Sequence, residues 1–194
     1  MIERYTLPEM GRLWTDQHKY QTWLKVEVAV CEAQAELGYI PADAVEEIKS
    51  KANFDTDRVN EIELTVKHDM IAFLTNVNEY VGDAGRYIHL GLTSSDVLDT
   101  ALAVQLVDSL EIIQAQLESA IQAIRYQAQQ HRYTIMSGRT HGIHAEPITV
   151  GFKLAGWLAE MLRHRDRILT LSKNIAVGKI SGAVGTYANV DPRI

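Results

Sequence analysis

Between Thr93 and His131 the chain has neither proline nor glycine, and no other feature narrows its possible folds as much. In that stretch Leu98, Leu102, Leu106, Leu110, Ile113, Leu117, Ile121, Ile124 and Ala128 follow one another at steps of three or four, so they line one face of a helix. Val97, Ala101, Val104, Ile112 and Ala120 widen the stripe beyond a two-stranded seam. At 1.5 Å per residue, about 38 residues make a rod of roughly 57 Å. A rod longer than a small domain is wide belongs to an extended bundle, commonly one shared between subunits. A second long helical pattern, from Pro147 to about Val177, supplies a mate, with Pro147 suited to its first turn.

Shorter elements precede the rod. Pro8 suits a first helical turn, and a short helix fits between Gly11 and His18. Trp23, Val26, Val30, Ala33 and Leu37 give helical spacing over about 16–37, closed by Gly38. Pro41 opens a helix to about Ser50, Asp55 caps one over 55–66, and 69–81 is a fourth, ended by Gly82. Alternating strand patterns are nearly absent, so the class is all-α. The expected organisation is a helical domain at 1–92, then the first part of a long-helix bundle at 93–194.

Four places carry chemistry. Lys67-His68-Asp69 joins two helices, where a lysine and a helix N-terminus favour a neutral donor–acceptor imidazole. An acidic cap with a solvated His and Lys accounts for the same residues. In Gly91-Leu92-Thr93-Ser94-Ser95-Asp96, Thr93 with Asp96 fits a capping box. Three successive hydroxyls around free helix N–H groups also suit an anion, and His89 stands close enough in sequence to join them. The segment 137–147 (SGRTHGIHAEP) sets Arg139, His141 and His144 between glycines and a proline, read as a loop joining the two long helices. Its His-x-x-His-x-Glu spacing invites a metal, but the glycines and proline deny the helical geometry that would bring such ligands to one face. A loop histidine that moves protons fits better, and no metal or cofactor is expected. The last place, 178–192, holds three glycines near Lys179, Ser181 and Thr186, which suits close backbone approach but not a phosphate loop. The basic run at 163–167 reads as a solvated helix face.

A net charge of −6 disfavours a broad nucleic-acid partner. The single Cys31 fits a reducing compartment, and no stretch approaches the apolar length of a membrane span or a leader peptide. A cytoplasmic protein acting on a small molecule is expected.

Five segments together carry a resemblance: MIERY at 1–5, KHD at 67–69, HLGLTSSD at 89–96, GRTHGIHAEP at 138–147 and GKISGAVGTYANVDP at 178–192. They are similar to the fumarase/aspartase superfamily, in its purine-nucleotide branch, and the resemblance runs the length of the 194 residues. It implies a β-elimination that splits succinyl-AMP into AMP and fumarate, with the parallel step on the succinylcarboxamide ribotide. By this resemblance His141 is the general acid on the leaving nitrogen and His68 assists. Arg4, Tyr5, Lys67, Asp69, Thr93, Ser94 and Thr140 bind the nucleotide and dicarboxylate, with His89 close to the phosphate. It also implies a small helical domain followed by a bundle that assembles into a homotetramer with shared active sites. The superfamily's flexible loop carrying a base serine has no match here, so the chain resembles the N-terminal portion of a longer enzyme and is expected to be inactive alone. A sister lyase acting on argininosuccinate, aspartate or fumarate is the nearest alternative. The hydroxyl-rich helix start and the His144/Glu146 pair count against it. A non-catalytic helical oligomerisation piece would not group Arg, His and hydroxyls at three junctions.

Overall fold

A computed structural model describes residues 2–194. Its elements are helices α1 (Pro8–Leu13), α2 (Asp16–Glu36), α3 (Ala42–Lys51), α4 (Thr56–Val66), α5 (Asp69–Val81) and α6 (Ser94–Gln130), strands β1 (Ile135–Thr140) and β2 (Ile143–Thr149), and helix α7 (Val150–Ile175). Short stretches of 3-10 helix cover Glu3–Tyr5 and Gly82–Tyr87. The helical class stands, with one antiparallel ribbon added.

The helix boundaries have local causes. Thr15 accepts from the His18 N–H and Asp55 from the Arg58 N–H, so α2 and α4 start on side-chain caps. Gly38 and Gly82, both at positive φ, follow α2 and end α5. Two compact units result, one of Met1–Leu106 with Ala176–Ile194, the other of Val107–Ile175. In the first, α2 to α5 close around Tyr20, Trp23, Phe54 and Phe73, whose ring centroids stand 5.1–5.9 Å apart. Ile48, Val59, Ala72, Phe73 and Val77 have no exposed surface at all. At Gly91 two demands coincide: φ is +79°, and a Cβ would lie 2.1 Å from the Asn189 carbonyl oxygen. Only glycine lets the 187–192 segment lie so close to this turn.

The second unit corrects the reading of 137–147 as a loop. His141 and Gly142 are both at positive φ (51° and 73°), the requirement of a two-residue type I′ hairpin turn, and Thr140 pairs with Ile143 across it. Ser137 pairs with Pro147 but Arg139 with His144, so β2 carries one extra residue opposite Gly138. The ribbon moves the next helix start as well. Pro147 lies within β2, and α7 begins at Val150, where Thr149 Oγ1 accepts the Phe152 N–H at 3.0 Å.

Candidate active site

Hydrogen bonds bring two of the four sequence-marked places together. Thr93 and Ser94 stand at the start of α6, and three residues further in, Asp96 is fully buried. Its Oδ2 accepts the N–H groups of Thr93 (3.0 Å) and Gly182 (3.1 Å). Its Oδ1 accepts Lys179 Nζ (2.7 Å) and the Ser181 N–H (3.0 Å). Thr100, one turn on, accepts the Lys179 N–H at 2.9 Å and donates to the Lys179 carbonyl at 3.3 Å. Half of a capping box is therefore present, and the other oxygen of the same carboxylate anchors a segment more than 80 residues away. Burial pushes the Asp96 carboxyl up, but the Lys179 ammonium and the three N–H donors outweigh it and hold it below the usual range.

Just before this start lies His89, in the left-handed region at φ 66°. Its Nδ1 is 2.6 Å from Glu27 Oε1, and its N–H donates to Glu27 Oε2 at 3.0 Å. Glu27 comes from α2 and its side chain has no exposed surface. Periodicity passes over it because it reads as a charge inside an apolar stripe. The signal lay in its spacing: Tyr20, Trp23, Glu27, Val30 and Gln34 share one buried face.

The remaining residues are placed as follows. Lys67 ends α4 in the left-handed conformation (φ 55°), and His68 caps α5, with Nδ1 3.5 Å from the Ile71 N–H and 3.4 Å from Asp69 Oδ1. A cap so long and divided leaves the ring loosely held and half exposed. Arg4 stacks over Tyr5 at 4.8 Å, both exposed. Thr140 and His141 are exposed at the ribbon's turn, in the other compact unit. His164 pairs with Glu160 along α7, and Arg165 with Asp166, so the basic run is a locally paired helix face. A cleft of about 420 Å³ lies among Gln34, Tyr39, Leu90 and the 187–194 segment, and none of the candidate catalytic or binding side chains lines it. Among the described residues no three His, Cys, Asp or Glu side chains converge as metal ligands.

Comparison with known proteins gives this arrangement its context. The profile of a family described as lyase matches residues 3–194. The chain belongs to that lyase family. Adenylosuccinate lyase of Synechocystis sp. is 78% identical over all 194 residues, which make up 45% of that relative. Adenylosuccinate lyase of Bacillus subtilis is 50% identical over 192 residues, 99% of this chain and 44% of the relative. Among solved structures, a fumarate lyase from Mesorhizobium sp. BNC1 matches at a TM-score of 0.89 and 35% identity, over 95% of this chain and 44% of that one. The lyase chain thus spans somewhat under half the length of the curated relatives it matches.

Proposed function

We propose that the protein to which this chain belongs cleaves succinyl-AMP to AMP and fumarate by β-elimination, and takes the succinylcarboxamide ribotide in the parallel step. The observation that carries this reading is the 78% identity with the Synechocystis adenylosuccinate lyase along the whole chain. The fumarate lyase of the same fold stands at 35%, which weighs against a sister activity.

In the elimination a base removes a proton from the carbon beside a carboxylate, the C–N bond breaks, and the nitrogen leaves with a proton from an acid. His141 is our choice for that acid. A turn whose two central residues are both left-handed projects its ring from the end of a ribbon, where an incoming substrate can meet it. The base is, by the superfamily resemblance, a loop serine without counterpart among these residues. His68, its Nε2 clear of the α5 cap, assists. Arg4, Tyr5, Lys67, Asp69 and Thr140 are assigned to the nucleotide and dicarboxylate. The α6 start, with Thr93, Ser94 and His89, is assigned to the phosphate, where N–H groups and the positive end of the helix favour an anion.

Most of these side chains are exposed, which fits a site completed by further segments and by other subunits of a homotetramer. Residues 1–92 are taken as its N-terminal helical domain and 93–194 as the opening of its bundle. No helix among the described residues is long and apolar enough to cross a membrane, and a cytoplasmic enzyme is proposed. Turnover of succinyl-AMP by the complete protein, followed by ultraviolet absorbance beside argininosuccinate, aspartate and malate, tests the reading. Turnover of succinyl-AMP alone supports it; turnover of one of the others instead overturns it.

A further inference from the structure

We propose that Glu27 is a positioning residue for the phosphate end of the substrate, acting through His89; this rests on the assignment of His89 to that phosphate. Three side chains on one face of α2 hold the turn before α6. Cys31 Sγ donates to the Tyr87 carbonyl at 3.7 Å, Gln34 Nε2 donates to the Leu90 carbonyl at 2.8 Å, and Glu27 accepts the His89 N–H. Backbone attachment alone needs no charge, as the thiol and the amide demonstrate. Glu27 alone of the three also reaches a side chain, the His89 ring at 2.6 Å, and does so as a carboxylate without exposed surface.

A buried charge is costly unless paired, and its partner here is that ring. With Nδ1 turned to Glu27, only Nε2 remains to meet a ligand. A phosphate oxygen accepts but does not donate, so Nε2 must carry a proton to bind it. Nδ1 must carry one too, to serve Glu27. The ring is then an imidazolium held between two anions, one of the protein and one of the substrate. The left-handed backbone at His89, which a non-glycine residue adopts at a cost, is fixed by the same carboxylate through its second oxygen. An amide at position 27 can still accept the N–H and donate to Nδ1, but it leaves a neutral ring. Geometry survives and the charge does not.

Glu27→Gln in the complete enzyme separates the two roles. AMP binding by calorimetry should weaken roughly five- to tenfold, the difference between a charge-assisted and a neutral hydrogen bond. Adenosine, without the phosphate, should change less than about twofold. His89→Asn, which tolerates the left-handed backbone, should weaken AMP roughly 10- to 100-fold. In that background Glu27→Gln should add almost nothing. An equal loss for AMP and adenosine, or a full loss persisting in the His89→Asn background, assigns Glu27 to scaffolding and overturns the proposal. If His89→Asn leaves AMP affinity unchanged, it is the phosphate assignment that fails. Should Glu27→Gln not fold, neutron diffraction of the wild-type AMP complex decides: deuterons on both His89 nitrogens are expected, and a bare nitrogen overturns the proposal.

Discussion

Replacing Asp96 by Asn tests whether one buried carboxylate ties the 178–182 segment to the start of α6. The side chain keeps its size and loses its charge. Asp96 now serves four donors, two on each oxygen. An amide can present one oxygen only. If its NH₂ replaces Oδ2, the Thr93 and Gly182 N–H groups lose their acceptor. If it replaces Oδ1, Ser181 N–H and Lys179 do, but the Lys179 side chain is 40% exposed and can turn to water. The second orientation is cheaper. A buried N–H without a partner costs about 1–3 kcal/mol, and the remaining charge-assisted bonds weaken to neutral ones, for a total of about 2–4 kcal/mol. Because the folded-state pKa is depressed, this stability is present above the carboxyl's ordinary pKa and is lost as pH falls through the folded value. Hydrogen–deuterium exchange on the complete protein should show the 178–185 segment opening faster in Asp96→Asn, with a lower melting temperature. Unchanged exchange there, with stability within about 0.5 kcal/mol of wild type, would refute the anchoring role.

Other outcomes follow from single residues. His141→Gln in the complete enzyme should lower kcat about 10²–10⁴-fold while AMP still binds, and near wild-type kcat at pH 7 removes it from the acid role. Cys31 is 1% exposed and burial pushes its thiol up to about 12, so Ellman's reagent should leave it unmodified at pH 8 until the protein unfolds. Gly91→Ala puts a methyl against the Asn189 carbonyl in a left-handed turn and should destabilise by about 1–3 kcal/mol; a neutral melt would show that the 187–192 segment moves aside freely.

The helices were legible because each is written locally. The 93–131 stripe, Asp55 as a cap and the glycines after α2 and α5 mark their elements within a few residues. The ribbon was not legible because His-Gly is a weaker hairpin signal than Asn-Gly, and Gly138 interrupts any alternation in β1. Asp96 was legible as a capping residue and illegible as an anchor. Its second role depends on Ser181 and Gly182, whose position follows only from the completed fold. Glu27 was hidden for the same reason, since its partner lies 62 residues along the chain. His141 and His68 stood out as histidines set between glycines or between two helices, and the α6 start by three successive hydroxyls where a single cap needs one.

The most direct test of the phosphate assignment is a crystal structure of the complete protein with AMP and fumarate bound. The phosphate should sit at the start of α6, within hydrogen-bond distance of the Thr93 and Ser94 hydroxyls and of His89 Nε2, with Glu27 still on Nδ1. A phosphate held elsewhere, with the α6 start facing solvent or the dicarboxylate, would contradict the account.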